Sequence, residues 1–323
     1  MTRRLTRWLA AAIVLLNAGS PSLARDAIVE GKSNWLFAGW ESLSVAKPEA
    51  EMASVQLIAE INRVLSERGI KLIVAIVPLK PRYYETLLPE GMAISEPVRK
   101  RYDFLLSELR SQGVSAPDLR DAFKAVVLGK QEVFYRTDFH WTTFAAEASA
   151  DQIAAEIISK SPLPGKAGSG TQLGDWMNDR HLGDLAANFL SPERKRAIGP
   201  DTYVIRTPPR NNQGLLDAEP APVAVVGNSF VQPYFGFPQR LSNRIDRPVS
   251  LKWNPGDLGP WATLLQYLQS SEFKSNPVRF LVWQFNEAQL QNGPDAVGEW
   301  AAQGIVSAAD WRLKTAEAIR NRK

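Results

Sequence analysis

The chain has 323 residues, 45% of them hydrophobic, with 38 Lys+Arg against 34 Asp+Glu and no cysteine. The lack of cysteine excludes disulfides, thiolate catalysis and Cys-type metal sites, so the fold must rest on a packed core, for which the length and apolar content suffice. Arg3, Arg4 and Arg7 all fall in the amino-terminal segment, which has no acidic residue. The remainder is therefore close to neutral, and no nucleic-acid partner is expected.

Those arginines, the apolar run 8–16 and the small residues of Ser22-Leu23-Ala24 read as a secretory signal over residues 1–24. The run is shorter than the about 20 apolar residues an ordinary spanning helix needs. A cleaved signal and a periplasmic location are expected, with an uncleaved inner-membrane anchor as the alternative. Residues 25–323 then form one domain.

Gly31-Lys32-Ser33-Asn34-Trp35-Leu36-Phe37 opens that domain as a short apolar segment behind a turn. Leu57, Ile58, Ile61, Val64 and Leu65 follow a helical period, and Gly69 suits the left-handed cap that ends such a helix. The β-branched run 70–77 reads as a strand covered on both faces, closed by Pro78 and Pro81. Tyr102, Leu105, Leu106 and Leu109 mark a second helix stopped by Gly113, and Ala146, Ala150, Ile153 and Ile157 a third. Residues 161–220, rich in Gly, Pro and Ser at both ends, read as a loop-rich, substrate-side excursion containing a Leu182-Gly183-Asp184-Leu185 turn. Strands are expected at 223–226, 249–253 and 279–285, with a helix at 261–268. This alternation predicts an α/β domain with a mainly parallel central sheet flanked by helices.

Chemistry concentrates in Phe134-Tyr135-Arg136-Thr137-Asp138-Phe139-His140-Trp141-Thr142, which holds one of only two histidines. On an extended backbone Asp138 and His140 point to the same side, so the carboxylate can fix the tautomer of a general-base imidazole. The alternative is a pair that merely caps the helix starting near Thr142. Far downstream, the strand 223–226 runs into Gly227-Asn228-Ser229-Phe230, which places a serine just past a strand's carboxyl end, where α/β sheets bind ligands. Position 231 is Val, so this is not the Gly-x-Ser-x-Gly elbow of α/β-hydrolases. His181 has no metal-ligand partner near it in sequence, no metal-binding spacing is present, and neither metal nor cofactor is expected.

Taken together, Thr137-Asp138-Phe139-His140-Trp141-Thr142, Gly227-Asn228-Ser229-Phe230 and the early Gly-Lys-x-x-Trp-Leu-Phe segment resemble the alginate O-acetyltransferase family with an SGNH-hydrolase-like domain, and its relatives in bacterial cellulose acetylation. Val77-Pro78-Leu79-Lys80-Pro81, Gly183-Asp184-Leu185 and Gly259-Pro260 are similar to that family too. The order, Asp-x-His before Ser, is permuted relative to ordinary SGNH esterases. The resemblance implies an SGNH-like fold and a Ser229–His140–Asp138 triad that passes acetyl groups, as an acetyl-serine, to hydroxyls of an exopolysaccharide such as alginate or cellulose. The N–H of Ser229 and the side chain or backbone of Asn228 are candidate oxyanion donors, with Gly259 as a further one. Trp141, Arg136 and Lys80 are candidate substrate contacts, whereas Trp35, Trp253 and Trp283 are expected in the core or on strands.

The resemblance further implies an acetyl donor relayed from a membrane-bound O-acyltransferase, and export-complex partners. A carbohydrate acetylesterase using the same residues is the first alternative. A catalytically silent polysaccharide-binding subunit is the second, because Trp283-Gln284-Phe285-Asn286-Glu287-Ala288 departs from the family's Trp-Glu-x-Pro-x-Arg-like segment.

Overall fold

The computed structural model describes residues 27–208 and 219–322, so the expected signal segment lies outside the described residues. Strands β1 (Ile28–Glu30) and β2 (Leu36–Ala38) pair antiparallel. Helix α1 (Pro48–Glu67) buries Leu57, Ile58, Ile61 and Leu65, and Gly69 at φ 68° turns the chain into β3 (Lys71–Val77). A short α2 (Pro81–Tyr84) precedes α3 (Glu96–Ser111), α4 (Leu119–Leu128) and α5 (Thr143–Lys160). The excursion follows with β4 (Trp176–His181), α6 (Asp184–Phe189), α7 (Pro192–Ile198) and β5 (Asp201–Arg206). The last part contains β6 (Val223–Gly227), α8 (Phe237–Ile245), β7 (Val249–Trp253), α9 (Pro260–Gln269), α10 (Ser271–Ser275), β8 (Phe280–Asn286) and α11 (Ala308–Arg320). Among the described residues, no helix is long and apolar enough to cross a membrane.

The central sheet is parallel, in the order β3-β8-β6-β7. Its strands read as unbroken apolar runs because alternate residues serve two cores. Ile73, Ala75 and Val77 pack with α4, α5 and α8 through Phe123, Ile153 and Leu241. Leu72, Val74 and Ile76 pack with α1, α3, α9 and α11 through Ile58, Leu105, Leu264 and Trp311. Register aligns Val77 with Asn286 and Gly227 with Trp253, so the strands' carboxyl ends finish side by side along one edge. The site lies at this edge.

The excursion is more ordered than its composition predicts. Strands β4 and β5 form an antiparallel pair with Trp176 opposite Arg206 and His181 opposite Asp201. Along β5, Asp201, Tyr203 and Ile205 point inward. Polar and turn-forming residues at its margins hid a period of two in its centre.

Candidate active site

Residues 135–140 form a loop between Phe134 and Trp141, which pair as an antiparallel bridge, and Thr142 N–H donates to Val133 O at 3.0 Å. The Asp138–His140 segment is bent rather than extended. Asp138 Oδ1 accepts from the His140 backbone N–H at 2.8 Å and from its Nδ1 at 2.7 Å, a local turn that short carboxylates favour. The side chains meet through this turn and not through strand alternation. Helix α5 is capped by Thr142, whose Oγ1 accepts from Ala145 N–H, so the pair is not spent on capping.

The serine arrives from β6. A Cβ on Gly227 would sit 2.6 Å from Gln284 Oε1, so only glycine lets the turn pass this close to β8. Gln284 Oε1 accepts from Asn228 N–H at 3.0 Å, and the chain enters a 3₁₀ turn, Ser229–Val231. Ser229 Oγ then lies 2.7 Å from His140 Nε2. The hydroxyl, imidazole and carboxylate are thus joined by two hydrogen bonds, and both Ser229 and His140 line a cleft of about 650 Å³.

The excursion holds the far side of Asp138. Tyr203 Oη donates to Asp138 Oδ2 at 2.8 Å, and the Asp184 N–H donates to the same oxygen at 3.3 Å. Asp201 Oδ2 accepts from both N–H and Oγ1 of Thr137 at 2.7 Å. Gly183 lies so close to this loop that a Cβ would be 2.3 Å from the Thr137 carbonyl carbon. That contact sets Asp184 Oδ2 3.5 Å from His140 Nδ1. Tyr203 and Asp184 were not foreseen as site residues. The alternation in β5 and the Gly183-Asp184 turn are their only local signals.

Burial disfavours the charged form of both His140 and Asp138, but their mutual hydrogen bond and attraction outweigh it. His140 is held above its usual 6.5 and Asp138 well below the usual carboxylate range. Burial, then the charge of Asp138, pushes Asp184 up to about 7. Burial beside Asp138 also holds the Tyr203 phenol far above its usual range, which keeps it a donor. Asp138, His140 and Asp184 offer ligand atoms within 4.8 Å of one another. Of these atoms, Nδ1 of His140 is already hydrogen-bonded to Oδ1 of Asp138 at 2.7 Å.

Four sequence expectations need correction. Trp141 is fully buried, with its indole N–H donating to Phe230 O at 2.8 Å and its ring stacked on Phe237, so it anchors the loop and touches no substrate. Lys80 is buried too, and its three ammonium hydrogens go to the carbonyls of Leu36, Arg136 and Asp138 at 2.6, 3.0 and 2.9 Å. Arg136 pairs with Asp201 at 2.8 Å rather than facing the cleft. Gly259 caps α9 at φ 82° and spends its N–H on Gly256 O, so it donates to no oxyanion. Of the Asn228 donors the backbone one is taken by Gln284, whereas Nδ2 lines the cleft between Asn286 Oδ1 and Gln289 Oε1 at 3.3 and 3.2 Å. Trp35 and Trp283 are buried and Trp253 lies on β7, as expected.

Residues 28–287 match the model of the family described as SGNH hydrolase-like domain, acetyltransferase AlgX. The probable alginate O-acetylase AlgJ of Pseudomonas fluorescens is 30% identical over 309 residues, spanning 92% of this chain and 76% of its own. Its namesake from Pseudomonas aeruginosa is 27% identical over 336 residues, spanning 97% and 82%. Among solved structures, the O-acetyltransferase domain of Pseudomonas putida AlgJ superimposes with a TM-score of 0.72 at 29% identity, covering 89% of this chain and 99% of that domain. Pseudomonas aeruginosa AlgX shares the fold, with a TM-score of 0.63 at 19% identity over 91% of this chain and 67% of that one. The chain is therefore an O-acetyltransferase and belongs to the SGNH hydrolase-like acetyltransferase family.

Proposed function

We propose that this chain carries acetyl groups on Ser229 and passes them to hydroxyls of an exported polysaccharide. The carrying observation is the hydrogen-bonded series Ser229–His140–Asp138 opening into a cleft. Ser229 Oγ attacks the donor's acetyl carbonyl as Nε2 of His140 takes its proton, and the same proton leaves with the departing group. An acceptor hydroxyl then gives its proton to Nε2 and attacks the acetyl-serine. The carbonyl oxygen, negative in each transition state, is met at the cleft by the Ser229 N–H, while the Asn228 amide, spent on Asn286 and Gln289, holds the turn that presents it. Asp138 keeps the imidazole in the tautomer whose Nε2 is unprotonated. The relatives' names make alginate the first acceptor to assay. The amino-terminal segment, read as an export signal, supports a reaction in the periplasm, with a membrane-bound O-acyltransferase as source of acetyl groups and other export proteins as neighbours.

The reading of a catalytically silent subunit loses its motive, because Gln284 and Asn286 support the serine turn from β8 and Glu287 is fully buried. The test is incubation with an activated acetyl ester, followed by intact-mass measurement and analysis of added oligosaccharide. One acetyl group on the wild-type chain, none on Ser229→Ala, and newly acetylated sugar are expected. Undiminished loading of the alanine variant removes Ser229 from the mechanism. Free acetate alone in abundant acceptor makes the enzyme an esterase.

A further inference from the structure

Most large apolar side chains of this protein are buried, and some of the exceptions gather at the cleft. Trp40, 39% exposed, Val45 and Phe189, 46% exposed, all line it. Trp40 sits on the turn after β2 and Phe189 is the last residue of α6, so segments distant in sequence present aromatic rings to the same space. Trp40 lies 5.2 Å from the ring of Phe139 and 5.9 Å from that of Phe189, at interplanar angles of 67° and 55°. Neither neighbour lies flat on the indole, and among the described residues no cation stands over it. Trp176 differs: it too is exposed, yet the Arg206 guanidinium covers its ring at 3.5 Å.

An exposed apolar patch with a polar rim marks a ligand-binding groove. Here Ser42 and Asn188 supply the rim, with a hydroxyl and an amide that donate to and accept from sugar hydroxyls. A pyranose ring matches the patch itself, since its C–H groups form apolar faces that pack flat on an indole. Charges of both signs, Lys47 against Asp257 and Glu299, are exposed on the same lining, so the aromatic shelf rather than net charge is what singles out a sugar. The shelf is also tied to the triad. Phe139, whose ring Trp40 meets, precedes His140, and its ring centre is 6.0 Å from that of the imidazole.

We infer that Trp40, with Phe189 beside it, is the subsite for the sugar next to the one acetylated. The hydroxyl receiving acetyl must reach His140 Nε2, and the neighbouring ring of the polymer then passes over Phe139 and stacks a C–H face on the indole. The inference rests on the acetyl-serine reading and adds to it a residue that binds the acceptor.

Stacking on C–H faces is indifferent to the sugar's charge, and the test uses that. Oligomannuronate and its carboxyl-reduced counterpart are titrated against the full chain carrying Ser229→Ala, with Trp40 intact, as Trp40→Ala and as Trp40→Phe. Both oligomers are expected to bind the parent, to lose affinity on the order of tenfold in Trp40→Ala, and to regain most of it in Trp40→Phe. With Ser229 restored and 4-nitrophenyl acetate as donor, Trp40→Ala should raise the KM for oligomannuronate with a smaller change in kcat, the split that lost ground-state binding produces. Unaltered affinity in a folded Trp40→Ala chain overturns the inference. So does a loss confined to the charged oligomer, which would be electrostatic, or failure of the parent to bind either one. Phe189→Ala is the second variant: should Trp40→Ala not fold, weaker binding of both oligomers there supports the shelf, and unchanged binding overturns it. If Ser229 takes up no acetyl group, the acetyl-serine reading fails by itself, and the titrations, which need no transfer, still decide the subsite.

Discussion

Replacing Tyr203 with Phe removes one hydroxyl and keeps a ring that stacks on His181 at 3.9 Å and lies 4.0 Å from Tyr135. The lost bond is the 2.8 Å donation to Asp138 Oδ2. A hydrogen bond to a charged acceptor contributes about 1.5–3 kcal/mol, and about 1.4 kcal/mol is a decade in rate. Oδ2 keeps the Asp184 N–H, and Oδ1 keeps both His140 donors, so the loss is only partial. Turnover of 4-nitrophenyl acetate should fall roughly tenfold, the low end of that range. The pH profile supplies a second readout. Without the phenol the Asp138 charge is less neutralised and attracts the imidazolium more strongly, so His140, already above 6.5, holds its proton to still higher pH. With the neutral imidazole as the proposed base, the acid limb of the rate moves upward in pH. A folded Tyr203→Phe chain with wild-type turnover and an unmoved limb would refute the claim that the excursion orients the triad.

Asp138→Asn should lower turnover by up to about 10⁴-fold, as in related triads. It should also shift the acid limb to lower pH, because the attraction that now outweighs burial at His140 is gone; an upward shift would contradict the assignment. Lys80→Met should destabilise the fold by about 2–4 kcal/mol, since three buried carbonyls lose their donor. In the same variant kcat should drop with little change in KM, as the ammonium sits behind the loop and not in the cleft. Chemical denaturation and steady-state kinetics check both, and wild-type stability would remove Lys80 from the loop's support.

Much of the architecture was legible, and the reason is physical. A parallel sheet buried on both faces demands unbroken apolar strands, so 70–77 and 279–285 announced themselves within a residue of β3 and β8. The triad was legible for a different reason: its histidine is one of only two in the chain, with a carboxylate two residues before it, and its serine stands just past an apolar strand. Burial of a polar side chain has no such signature. Lys80 between leucine and proline reads as a surface cation, yet backbone carbonyls from β2 and the 136–138 loop surround it. Trp141 beside the base suggests a sugar platform, yet the bridge to Phe134 turns it inward. The excursion was misjudged because its ties to the core are polar: Tyr203, Asp184 and Asp201 reach single atoms, and no hydrophobic period encodes that.

These ties also explain why the segment 283–288 can depart from the family pattern without dismantling the site. Gln284 Oε1 holds the Asn228 N–H, and Asn286 and Gln289 take the Asn228 side-chain amide. Glu287 accepts from Leu79 N–H, Arg82 and Arg101, which ties the end of β8 to the end of β3. The next residue along, Lys80, holds the backbone of Asp138. One continuous set of buried hydrogen bonds thus runs from behind the serine turn to behind the carboxylate loop. Triad geometry depends on donors and acceptors at these positions rather than on the identity of a substrate-facing motif. Substitutions there that keep the hydrogen-bonding capacity should spare acetyl loading, whereas apolar ones should disrupt it from a distance.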